Sequence, residues 1–155
     1  MEKISPFLWF DKEAGEAAGF YTSVFKDSKI INSTTLRNTP SGTVQIVTIE
    51  LLGQEFTLLS AGPLFKFNES ISFVVHCRTQ NEIDYYWERL STDPKAEQCG
   101  WLKDKYGLSW QIEPIALSKM LQDKDERKVA RVTEAFLKMK KFDIATLKKA
   151  YQGGK

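Results

Sequence analysis

The chain has 155 residues, of which 42% are apolar and 27% charged, with a net charge of +2. That is enough for one domain with a core, or for two small modules sharing one, and it excludes a disordered chain. No apolar run reaches the roughly 18–20 residues of a membrane span, and Met1 to Pro6 lack the apolar core of a signal peptide, so the expectation is a cytoplasmic protein with no membrane partner.

Ile4 to Phe10 is a short apolar run that predicts a strand, and Asp11 stands where a helix N-cap would. Ala14, Ala17, Ala18, Tyr21, Val24 and Phe25 follow at helical spacing. Lys29 to Leu36 is rich in Ile and Thr and predicts a strand. Pro40-Ser41-Gly42 is a turn, Thr43 to Leu52 a longer strand, and Gly53-Gln54 the break before Phe56 to Ser60.

The order then restarts. Ser70 to Cys77 alternates like a strand, and Thr79-Gln80-Asn81-Glu82 is a capping box before the helical stripe Ile83, Tyr86, Trp87 and Leu90. A short strand near Glu97 to Cys99 is expected next. A hairpin across Trp101 to Ile112 follows, with its turn at Asp104 to Gly107. Ile4 to Ser70 and Asp11 to Thr79 are offsets of 66 and 68 residues, so the chain carries an internal repeat. Neither half can bury a sheet face alone. The fold class is therefore α+β, with paired βαβββ modules at residues 1–62 and 63–113 and a C-terminal helical extension at 114–155.

In that extension Ile115 to Leu121 is one helix. Asp123 is the expected cap of a second, carrying Val129, Val132, Phe136 and Met139. Asp143 is the expected cap of a third, ended by Gly153-Gly154. Residues 114–155 hold 11 Lys or Arg and 5 Asp or Glu, against 11 and 15 before them. The basic residues are interspersed with acids on helical spacing, which suits a solvated helix face and not a nucleic-acid surface.

Few residues suggest chemistry. His76, the one histidine, ends a strand with no Ser or Cys partner in sequence. Cys77 and Cys99 fit no metal spacing and read as reduced, buried thiols. Asp104 reads as a turn former that satisfies local amides. Strand parity sets Trp110 and Ile112 opposite Gln111, so Trp110 should pack under helices. Phe7 and Trp9 would line a cleft if Leu8 and Phe10 pack on the first helix.

The repeated order, with the stretches FLWFD, FYTSVF, FKFNESISFVV and QCGWLKDKYGLSWQI, resembles the PhnB-like branch of the glyoxalase/bleomycin-resistance/dioxygenase superfamily, also called vicinal oxygen chelate. The resemblance spans roughly residues 4–113. It implies the glyoxalase-like fold, a cleft between modules and a homodimer. Members often carry the label 3-demethylubiquinone-9 3-methyltransferase, yet no glycine-rich strand-to-helix loop of an S-adenosylmethionine-binding domain is present. Metal enzymes of the superfamily hold one divalent ion with a residue from the first and last strand of each module. Those positions fall near Ser5 to Phe7, at Leu58 or Leu59, at Ser72, and at Gln111, four residues after the turn glycine Gly107. An amide and a hydroxyl do not hold Zn, Ni or Fe at useful affinity. The expectation is thus no metal and no cofactor. A small molecule would be bound in the cleft and oriented by Gln111 and Ser72, with Phe7, Trp9 and Ser60 lining the wall. The alternatives are a lyase, isomerase or transferase in the same cleft, and a dimeric interaction module whose cleft is filled.

Overall fold

A computed structural model describes residues 3–154. The chain divides after Phe67 into two compact units. The first runs β1 (Phe7–Phe10), α1 (Ala14–Val24), β2 (Ser28–Thr39), β3 (Gly42–Leu51) and β4 (Gln54–Ser60). Its sheet has the order β1-β4-β3-β2, with β1 parallel to β4 and the other pairs antiparallel. Helix α1 packs on β2, β3 and β4. It buries Ala14, Ala17, Ala18, Tyr21 and Val24 against Leu8, Phe10, Val47, Ile49, Phe56 and Leu58. Three alanines on one stripe let helix and sheet approach closely, and the larger Tyr21 and Val24 fill the wider end.

Two details depart from the sequence reading. Asp11 does not cap α1: the N-cap is Glu13, with no side-chain cap bond, and the first helical amide, of Ala14, donates to Ser60 Oγ at 2.9 Å. The cap comes from a neighbouring strand, which local sequence cannot reveal. Leu52 leaves β3 and shares the turn with Gly53, both at positive φ (50° and 86°), as a tight two-residue hairpin requires.

The second unit runs β5 (Ser72–Cys77), α2 (Gln80–Leu90), a 3-10 turn (Pro94–Ala96), β6 (Trp101–Lys103), β7 (Ser109–Pro114), α3 (Ile115–Leu121), α4 (Glu126–Phe136) and α5 (Ile144–Gln152). Its sheet is β5-β7-β6, with β5 parallel and β6 antiparallel to β7. The expected strand near Glu97 to Cys99 is reduced to one bridge, Gln98 to Trp101, because Cys99 and Gly100 both take positive φ (48° and 82°). Helix α2 opens with the full capping box: Thr79 Oγ1 accepts from Glu82 N at 3.2 Å, and Glu82 Oε2 accepts from Thr79 N at 3.3 Å.

The helical tail packs on its own unit. Val132, Phe142 and Leu147 are buried, so the apolar stripes are used within the chain. The side-chain amide of Gln80, at the start of α2, donates to Phe142 O at 3.0 Å and accepts from Ile144 N at 2.8 Å. Cys99 N and Gly100 N donate to Met139 O and Lys140 O at 2.9 and 2.8 Å. The cap of α4 is Asp125 and not Asp123, whose carboxylate instead accepts from the Tyr151 hydroxyl of α5. Asp143 caps α5 through Thr146 N, and Gly153 closes that helix in the left-handed region.

Gly100 is the tightest joint of this docking. A Cβ there would lie 2.4 Å from Phe142 Cε2, on a backbone at φ 82°. Gly100→Ala should therefore cost about 2–4 kcal/mol and lower Tm by roughly 5–15 °C in a thermal melt. An unchanged Tm would show that the turn and the tail are not coupled.

Candidate functional site

In each unit a helix covers one sheet face, and the opposite face, called uncovered because that helix does not reach it, carries the other parity. In the second unit α2 packs on β5, β6 and β7. Val75, Cys77, Leu102, Trp110 and Ile112 are buried on that side, and Phe73 meets Trp110 with ring centroids 5.7 Å apart. Alternation then assigns Ser72, Val74, His76, Trp101, Lys103, Ser109, Gln111 and Glu113 to the other face.

Asp104 sets this parity. It is 3% exposed. Its Oδ1 accepts from Tyr106 N at 2.8 Å and Leu108 N at 3.1 Å, and its Oδ2 accepts from the Trp110 indole at 2.9 Å. One carboxylate thus shapes the turn and pins the first large side chain of β7 under the helix. The expected turn role is present, with the indole as an unforeseen third partner.

With Trp110 inward, Gln111 points outward. Its Nε2 donates to Ser72 Oγ at 2.8 Å. Ser72, Val74 and Trp101 surround it in register, Val74 and Trp101 directly opposite. Because Ser72 Oγ accepts this bond, its own proton is free to donate, and Gln111 Oε1 is left as an acceptor. Ser109, the other hydroxyl of this parity, does not join the pair. Ser109 is instead 1% exposed, and its Oγ has no hydrogen-bond partner among the described residues. It stands beside Ser72 and Lys103 in register. Sharing Gln111's parity was the signal that could have found it. Lys103 is committed to an ion pair with Glu69, and that ammonium holds the Glu69 carboxyl below its usual range.

In the first unit Leu8 and Phe10 are buried, while Phe7 is 59% exposed, so Phe7 and Trp9 share the uncovered face. Trp9 donates its indole N–H to Gly62 O at 2.8 Å and meets Phe65 edge-on at 5.0 Å. Their β4 register neighbours are Thr57 and Leu59. Leu58 is fully buried beneath α1, so Leu59 is the β4 residue on the uncovered face. Ser60 lies on the helix side, with Leu58, as the cap of α1, and not on the wall with Phe7 and Trp9.

The remaining candidates are placed plainly. His76 is exposed at the end of β5, level with Glu113. Cys77 is buried, and burial pushes its thiol up to about 12, so it stays protonated and inert. Cys99 is only half-buried, with Sγ near Phe136 O at 3.5 Å. The two thiols form no disulfide.

The donor set does not fit a divalent metal. Gln111 faces a serine, a valine and a tryptophan, the β4 position is a leucine, and among the described residues no three His, Cys, Asp or Glu side chains gather. A neutral amide already bonded to a hydroxyl offers one weak oxygen ligand.

A family model described as 3-demethylubiquinone-9 3-methyltransferase matches residues 2–113. Among solved structures, a PhnB protein from Bacillus cereus is similar at 33% identity and TM-score 0.61, over 73% of this chain and 99% of that one. A protein from Pseudomonas aeruginosa, PA1353, is similar at 13% identity and TM-score 0.55, over 74% and 98%. A mutant of the fosfomycin resistance protein FosX from Listeria monocytogenes, complexed with Mn(II) and 1S,2S-dihydroxypropylphosphonic acid, is similar at 15% identity and TM-score 0.57, over 79% and 99%. The last two likenesses are of fold alone. None of the curated proteins matches the chain.

If Asp104 sets the parity of β7, removing it exposes the defect twice, as unpaired buried amides and as a loosened indole. Asp104→Ala should lose about 3–5 kcal/mol in urea unfolding, and Asp104→Asn roughly half of that. Native-like stability of Asp104→Ala would remove Asp104 from this role.

Proposed function

The chain belongs to the 3-demethylubiquinone-9 3-methyltransferase family, the PhnB-like branch of the glyoxalase and bleomycin-resistance superfamily, and on that premise we propose that it is a metal-independent small-molecule-binding protein. The ligand lies on the uncovered face of the second sheet, over Gln111 and Ser72. Phe7 and Trp9 offer an apolar surface of the same kind on the first. The observation that carries the reading is the Gln111–Ser72 hydrogen bond of 2.8 Å. It leaves one carbonyl acceptor and one hydroxyl donor side by side, flanked by Val74 and Trp101. Such a pair suits a neutral molecule with an apolar body and one polar end that both donates and accepts.

The methyl transfer in the family's name is not carried into this reading. Among the described residues no strand enters a helix through a glycine-rich loop: the junctions are Asp11-Lys12-Glu13 before α1 and Arg78-Thr79 before α2, and β7 runs straight into α3.

The test is a fragment screen by ligand-observed NMR in the presence of a chelator, followed by dissociation constants for Gln111→Leu. Hits that weaken about tenfold or more in the variant are expected, as the loss of a buried hydrogen bond to a neutral group implies. Tight stoichiometric binding of Zn, Ni or Mn that Gln111→Leu abolishes would overturn the metal-independent reading.

The protein is also proposed to pair with a second copy. Ile4, Phe7, Leu64 and Phe65 in the first unit and Ile71 in the second are exposed, from 59% to 88%. Apolar side chains of that size left solvent-facing favour association. Light scattering at micromolar concentration should give twice the chain mass. A single-chain mass would refute the pairing.

A further inference from the structure

Beyond that reading, a separate pocket of about 430 Å³ lies in the second unit, lined by Arg78, Ile115, Ala116 and Lys119. Its position follows from the sheet. Strands β5 and β7 are parallel neighbours, and Cys77 and Pro114 are a registered pair at their ends. Arg78 and Ile115 are the next residues, so they leave the sheet side by side. Helix α3 then returns Lys119 one turn beyond Ile115, over the same hollow. Carboxyl ends of adjacent parallel strands are where open sheets leave crevices for ligands, because the two chains diverge there into helices.

The charges are left over for a ligand. Neither Arg78 nor Lys119 has an ion-pair partner among the described residues. Of the nine other described cations of the tail five do: Arg127 with Asp125, Lys128 with Asp123, Lys138 with Glu134, Lys140 with Glu97 and Lys141 with Asp84. The acid nearest Arg78 in sequence, Glu82, is turned onto the backbone amides of Arg78 and Thr79 as part of the capping box of α2. That contact fixes the Arg78 backbone and leaves its guanidinium to the pocket. Ile115 and Ala116 supply an apolar wall.

We propose that this pocket binds a small oxyanion, a phosphate or a carboxylate, between the Arg78 guanidinium and the Lys119 ammonium, with any apolar part of the molecule on Ile115 and Ala116. A planar guanidinium can take two oxygens at once, and the ammonium closes the third side. The site is distinct from Gln111 and Ser72, which lie on the uncovered sheet face.

The experiment is an NMR titration of the isotope-labelled full chain with inorganic phosphate and, separately, with butyrate and hexanoate, at constant ionic strength. Saturable shifts at the amides of Arg78, Ile115, Ala116 and Lys119 are expected with at least one of these probes. Arg78→Gln and Lys119→Gln should each weaken binding about tenfold without a change in Tm, since both side chains are exposed. Stronger binding of phosphate assigns a doubly charged oxyanion, and stronger binding of hexanoate than butyrate assigns a carboxylate with its tail on the wall. Shifts that never saturate, or that are the same in both variants, would overturn the site. Gln111→Leu should leave these shifts intact; if it abolishes them, the pocket is not a separate site.

Discussion

A single buried carboxylate decides what the second sheet can offer. Asp104 accepts from two turn amides and from the Trp110 indole. Each of these donors would be costly to bury unpaired. Together they fix the hairpin register and turn Trp110 toward α2. Because strand side chains alternate, Trp110 inward means Gln111 outward. A one-residue slip would bury the amide and expose the indole, so the outward position of Gln111 follows from a core constraint at Asp104, in the turn that the Lys103–Ser109 pair closes. The candidate site is in this sense a by-product of turn chemistry.

The tail is held by the same economy of backbone groups. The turn at Cys99 and Gly100 stands just before β6 and commits its two amides to Met139 and Lys140. Gln80 satisfies both a carbonyl and an amide at the entrance to α5. These bonds, with Phe142 against Gly100, make the extension part of the second unit. The apolar stripes that the sequence showed on α4 and α5 are therefore consumed internally. The pairing proposed above therefore draws its surface from elsewhere, from Phe7, Leu64, Phe65 and Ile71.

What could be read beforehand was whatever is local. The Thr79 capping box, the Asp143 cap, the Asp104 turn and the parity of Trp110 against Gln111 all depend on residues within a few positions of one another. The features that could not be read depend on partners far along the chain. Ser60 caps α1 from 46 residues away. Asp123 leaves the cap of α4 to Asp125 because Tyr151 claims its carboxylate. Ser60 was assigned to a ligand wall for its residue type and strand. Its parity with Leu58 assigns it to the helix side. The Gln111–Ser72 pair spans 39 residues, and its two positions are ones that the family resemblance singles out, not ones that local pattern reveals.

The internal repeat explains why the site has its present chemistry. A metal site of the superfamily kind needs donors on both modules, four in all. Here the β4 position is Leu59 and the β5 position is Ser72. A lone Gln111 cannot hold an ion, but it need not be idle. Once Ser72 takes one amide proton, the pair presents an acceptor and a donor at fixed spacing on a rigid parallel register. Charged ligands would meet no free cation there, because Lys103 is spent on Glu69. Arg78 and Lys119, which have no ion pair among the described residues, line the pocket by the strand ends instead. The two proposals thus divide the recognition chemistry, neutral over Gln111 and Ser72 on the sheet face and anionic at Arg78 and Lys119 by the strand ends.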